Sequence, residues 1–66
     1  MTVTVNGERR ELADGANIQD LLNSLGLNLK TVVIQRNGAI IERTAFGSTV
    51  LFDGDDLDLV RFVGGG

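Results

Sequence analysis

The chain has 66 residues, 42% of them hydrophobic, and a net charge of −3, which fits one small folded domain with no room for a second domain or a large substrate cavity. It contains no Cys and no His, which removes disulfides, thiolate clusters, imidazole metal ligands and the usual serine and cysteine nucleophile pairs. The basic residues Arg9, Arg10, Lys30, Arg36, Arg43 and Arg61 are scattered and the aromatics are Phe46, Phe52 and Phe62 alone, so nucleic-acid binding is not expected.

Thr2, Val3, Thr4 and Val5 are all β-branched and alternate in polarity, which predicts a half-buried strand over 2–5. Asn6-Gly7 follows, the dipeptide that best tolerates the positive φ angles of a two-residue hairpin. Residues 8–12 return as a second strand, and its arginines suit a solvated sheet edge. Asp14-Gly15 turns the chain. Asn17 can then cap a helix over 17–25, whose Ile18, Leu21, Leu22 and Leu25 fall on one stripe. Asp20 sits near the positive end of the helix dipole, and Gly26 can end the helix in the left-handed conformation. Val32-Val33-Ile34 reads as a central strand. Asn37-Gly38 repeats the hairpin chemistry, and 39–41 can pair back as a short strand. The stretch 43–49 has no period and reads as an irregular connection with one helical turn. Asp53-Gly54-Asp55-Asp56 is a turn before a last strand over 57–63.

Hairpin, helix and further strands in this order describe an α+β chain of the β-grasp type: a mixed sheet of four to five strands with one main helix on one face. The first and last strands are expected side by side in the middle of the sheet. Val3, Val5, Leu21, Leu22, Leu25, Ile34, Leu57 and Leu59 are the expected core. The domain is expected over 1–63, with a flexible glycine tail over 64–66.

The tail is the feature of this sequence that packing explains least. Glycine is costly to order and has no side chain to pack. Three extended glycines form a thin thread that reaches roughly 10 Å and can enter a narrow cleft. A frayed end is the plainer alternative. The acids Asp53, Asp55, Asp56 and Asp58 invite a metal, but with Asp53 first in a calcium loop the acid required at the twelfth position falls on Gly64. Turn chemistry accounts for the cluster, and no metal is expected. On the last strand, Leu57 and Leu59 alternate with Asp58, then Val60, Phe62 and Val63 follow. One face should meet the helix, and Val60 and Phe62 would lie on the open face. An apolar patch there marks a docking surface, with Phe46 and Arg61 beside it. In the competing arrangement, the segment around Phe46 folds over and covers the patch.

Taken together, the chain resembles the ThiS family of sulfur carrier proteins, in the ubiquitin-like MoaD/ThiS group. The resemblance runs from Val5-Asn6-Gly7-Glu8 through the helix stripe and Gly26-Leu27, then Asn37-Gly38 and Ile41 to Arg43. It ends on Leu51, Asp53-Gly54-Asp55, Leu57 and Phe62-Val63-Gly64-Gly65-Gly66. Glu42 stands where that family often has proline, and this chain has none. The resemblance implies a protein co-substrate rather than an enzyme, with no cofactor of its own. The carboxylate of Gly66 would be adenylated by an E1-like activating enzyme of the ThiF type, which uses ATP. A persulfide sulfur from a donor such as a cysteine desulfurase would displace AMP and leave a thiocarboxylate. A thiazole synthase of the ThiG type would take that sulfur for the thiazole of thiamin. Gly65 and Gly64 would complete the tail. Carriers for molybdopterin or cysteine synthesis, and ubiquitin-like modifiers, share this ending and stay open as alternatives. No apolar stretch approaches membrane-spanning length and no signal-peptide pattern follows Met1, so a cytoplasmic protein without membrane contact is the expectation.

Overall fold

The two Asn-Gly dipeptides set the two hairpins of the sheet. A computed structural model describes residues 1–61. In it Asn6 and Gly7 take φ of 50° and 84°, and Asn37 and Gly38 take 50° and 87°. Positive φ at both central positions is what a tight hairpin with the natural strand twist requires. The first joins β1 (Thr2–Val5) to β2 (Glu8–Glu11), and the second joins β3 (Val32–Arg36) to β4 (Ala39–Ile41). Helix α1 (Ile18–Leu25) lies between the hairpins in sequence, and β5 (Asp56–Arg61) closes the series. Short 3-10 turns occupy Leu29–Thr31 and Arg43–Ala45. The latter is the helical turn expected in the irregular connection.

The sheet runs β2-β1-β5-β3-β4, with β1 and β5 parallel and the other pairs antiparallel. The fold is therefore a five-stranded mixed sheet with one main helix, a β-grasp, and β5 is its central strand. The first and last strands are neighbours as the sequence predicts, with Thr4 opposite Asp56 and Val5 opposite Leu57. The arginine-bearing β2 is an edge.

Both turn asparagines also bond to β5. Leu59 N–H donates to Asn6 Oδ1 at 2.8 Å, and Asn6 Nδ2 donates to the Leu59 carbonyl at 3.2 Å. From the other side Asp56 N–H donates to Asn37 Oδ1 at 3.0 Å, and Asn37 N–H donates to the Asp56 carbonyl at 2.8 Å. The Asn6 side-chain amide matches the donor and acceptor of a peptide group, and Asn37 combines its side-chain oxygen with its own backbone N–H, so each supplies a rung at the turn end of its strand.

Helix α1 starts on a reciprocal cap. Asp20 N–H donates to Asn17 Oδ1 at 2.8 Å, and Asn17 N–H donates to Asp20 Oδ2 at 2.9 Å. It ends on Gly26 at φ 69°, with Leu27 N–H bonded back to the Leu22 carbonyl at 3.0 Å. Ile18, Leu21 and Leu22 are fully buried against Val3, Val5, Val32, Ile34, Leu57 and Leu59. Leu25, placed in the core by its helical spacing, is only half-buried and packs at the margin. Phe46 and Leu51 complete the buried cluster, neither expected there from the sequence.

Phe46 corrects one expectation outright. It is 2% exposed, so it belongs neither to a docking surface nor to a cover over the open face. The chain after the second 3-10 turn is stitched to the start of α1. Gln19 N–H donates to the Phe46 carbonyl at 3.3 Å, Ile18 N–H to Thr49 at 3.2 Å, and Leu51 N–H to Ala16 at 2.8 Å. These bonds bring the segment to the helix side of the sheet and drive the Phe46 ring into the core.

Candidate functional site

The expected site has two parts, the tail and the strand that leads to it. Phe62, Val63 and the tail residues Gly64, Gly65 and Gly66 lie outside the described residues. The strand and its two faces are described as far as Arg61.

Strand alternation sorts β5. Leu57 and Leu59 are buried toward the helix, while Asp56, Asp58 and Val60 point to the open side. Val60 is 58% exposed and pairs across the sheet with the half-buried Val33. Ile40 of β4 stands opposite Gln35, so it shares that face, and it is 65% exposed. Val60, Val33 and Ile40 therefore give the open face an apolar strip at the β3–β4 side. Ile40 was missed in the sequence because a three-residue strand has too few positions to show a period. The acids Asp56 and Asp58 sit further back along β5, and Glu11 and Arg9 of β2 lie on the same face. Thr2 Oγ1 donates to Glu11 there.

Arg61 does not flank Val60. It follows Leu57 and Leu59 in the alternation and faces the helix side, where with Leu25 and Leu27 it lines a groove. The strand alternation thus corrects the expectation that Arg61 flanks the apolar patch: Val60 and Arg61 are adjacent in the chain but lie on opposite faces. A strand puts neighbours on opposite sides, and no sequence signal overrides that.

The acidic turn is a structural device. Asp55 is 7% exposed. Its carboxylate accepts from Arg36 Nε at 3.0 Å, from Phe52 N–H at 2.8 Å and from Asn37 Nδ2 at 3.3 Å. Asp53 accepts from Thr2 N–H at 2.8 Å. These bonds tie the turn to the β3–β4 hairpin and to the start of β1. Among the described residues no group of three acids is arranged to hold a metal ion. Arg36 also lies over the ring of Phe52, 5.4 Å from its centroid, and that ring is 62% exposed. Among the described residues no helix is long and apolar enough to cross a membrane.

Similarity to known proteins runs along nearly the whole sequence. The sequence model of the ThiS family matches residues 3–66. The sulfur carrier protein ThiS of Bacillus subtilis is 43% identical over 53 residues, covering 80% of each chain. A thiazole synthase of Paramagnetospirillum magneticum is 33% identical over all 66 residues, and the chain spans only 20% of that protein's length. The crystal structure of the thiamine biosynthesis protein ThiS from Geobacter metallireducens superimposes with a TM-score of 0.84 at 36% identity, over the full length of both chains. With the family's sequence pattern present from residue 3 to the glycines and its fold reproduced over the described residues, this chain belongs to the ThiS family.

Proposed function

We propose that the chain is a sulfur carrier protein for thiamin biosynthesis, with Gly66 as the residue that carries the sulfur. The observation that bears most weight is the family match over residues 3–66, which includes the glycines as well as the folded body. The likeness to the Bacillus sulfur carrier supports the same reading. Thiazole synthases of Paramagnetospirillum and Magnetococcus each contain a stretch similar to this entire chain, which supports a thiazole synthase as the acceptor of the sulfur.

The chemistry asks little of the carrier itself. A carboxylate repels nucleophiles, so an E1-like partner joins it to AMP at the expense of ATP and releases pyrophosphate. The terminal sulfur of a donor persulfide then attacks the acyl carbon, and AMP leaves. A further thiol attacks the resulting acyl disulfide at its outer sulfur, forms a disulfide with that sulfur and frees the thiocarboxylate. The carrier contributes a reachable carboxylate and a surface that holds it in place. A short glycine thread makes few contacts and loses much entropy on ordering, so affinity must come from the folded body. The apolar strip of Val60, Val33 and Ile40, with Phe62 next in the chain, is the surface proposed for that role.

The test uses the full chain with an E1-like activating enzyme, ATP and a persulfide donor. Intact-protein mass spectrometry should show the gain of one oxygen-to-sulfur replacement, located on Gly66. A chain lacking Gly65 and Gly66 should melt like the full chain and give no ATP–pyrophosphate exchange. Activation of the shortened chain, or sulfur at another residue, would overturn the reading.

A further inference from the structure

On the helix side of the sheet, below the β1–β2 turn, lies a groove of about 250 Å³. Val5, Leu25, Leu27 and Leu59 give it an apolar floor, and Glu8, Arg10 and Arg61 stand at its rim. The local structure explains why it is open. Gly26 turns the chain left-handed and Leu27 bonds back to the helix, which leaves Leu25 and Leu27 half-exposed at the margin of the core. The β1–β2 register sets Glu8 opposite Val5 and Arg10 opposite Val3, so β2 presents charge, not apolar cover, on this side.

We propose that this groove is a second docking site, for a protein segment that presents an aliphatic side chain next to a carboxylate. Size argues for side chains over a cofactor. The groove is smaller than the roughly 300–1,000 Å³ typical of small-molecule sites. Charge argues for an acidic partner. The rim holds two arginines against one glutamate, and the Glu8–Arg10 pair is exposed and loose at 3.7 Å. Among the described strand residues, the opposite face carries the acids Asp56, Asp58 and Glu11 and the single base Arg9. In a chain of net charge −3, the groove is thus a local excess of positive charge. Position argues for a partner that handles the tail: Arg61 is five residues from Gly66 and on the face of β5 opposite Val60. A protein that receives the tail can therefore grip both sides of its root. This last point rests on the carrier reading.

The experiment measures the full chain as substrate of the activating enzyme and as ligand of thiazole synthase. Arg61→Glu and Arg10→Glu should each raise KM or Kd about tenfold for at least one of these partners, with the effect on KM rather than kcat and the melting temperature unchanged. Arg61→Lys should restore most of the binding. The salt dependence of binding should flatten in Arg61→Glu, which a purely structural role would not produce. Binding by Arg61→Glu equal to wild type with both partners would overturn the inference. So would a wild-type dimer in light scattering that Arg61→Glu dissolves, since a second copy would then fill the groove. Failure of the unaltered chain to be adenylated counts against the carrier reading instead, so the two failures are distinct.

Discussion

Asp55 offers the sharpest test of how this small domain is held together. Asp55→Ala removes three hydrogen bonds at once, those from Arg36, Phe52 and Asn37. It strands the Phe52 N–H, which costs about 1–3 kcal/mol if it finds no water. It also leaves Arg36 without its ion-pair partner. A fully buried pair broken this way costs about 3–5 kcal/mol. The Arg36 side chain is 21% exposed and keeps its contact with the Phe52 ring, so part of that cost is relieved by solvent. A total of about 2–4 kcal/mol follows. A domain of this length has about 3–10 kcal/mol in all. At roughly 4–8 °C per kcal/mol, the melting temperature should fall by at least about 8 °C, and the variant approaches the unfolding threshold. Thermal unfolding followed by circular dichroism measures this. Asp55→Asn, which keeps an acceptor oxygen and loses the charge, should fall between the two. A melting temperature unchanged in Asp55→Ala would refute the reasoning. So would a rise of the wild-type melting temperature with Ca²⁺ that is absent in the variant, because the acid would then be a metal ligand.

Two further substitutions separate core from surface. Phe46→Ala should cost about 3–5 kcal/mol, a large share of the stability of the domain, and equilibrium unfolding in urea should show it. A stable variant that binds partners poorly would return Phe46 to the surface. Val60→Asp changes a side chain that is 58% exposed, so melting should not move. It adds a third acid beside Asp56 and Asp58 and removes the centre of the apolar strip, so binding to the activating enzyme should weaken tenfold or more, read by calorimetry. Destabilisation with intact binding would show that the open face is not the docking surface.

What the sequence disclosed and what it hid divide along a physical line. Local rules were legible because their causes are local. The Asn-Gly turns, the Asn17 cap, the leucine stripe and the Gly26 stop each depend on residues within one or two turns of chain. The pairing of the first strand with the last followed from these, since two hairpins around one helix leave few ways to place a final strand, whereas the full order of the sheet comes from the structure. Phe46 and Leu51 were illegible because their burial depends on bonds from Phe46, Thr49 and Leu51 to the start of α1, some thirty residues away. Turn chemistry identifies Asp55 as a turn residue, but its pairing with Arg36 joins segments nineteen residues apart and has no signature in either. Leu25 failed for a different reason. Helical spacing gives the apolar stripe, while how far the sheet extends beneath it decides which end of the stripe is covered.

The central position of β5 bears directly on function. On one side β1 and then the Asn6 side chain hold its backbone as far as Leu59, and on the other β3 pairs with it as far as Arg61, so the chain is held in the sheet up to Arg61. From there five residues remain to Gly66. Fully extended they span at most about 18 Å. On the proposed carrier reading, the Gly66 carboxylate reacts within that radius of the end of β5. A partner that docks on Val60, or in the groove beside Arg61, must hold its active site inside the same sphere. Tethering of this kind raises the effective concentration of the carboxylate at the site without new contacts, provided the span matches the distance. Lengthening the thread by inserted glycines would dilute that advantage only slowly, whereas shortening it would end the reaction at once. On that same reading a root held in the sheet, a short tether and a docking surface at the root act as one device, with the folded body setting the origin of that sphere.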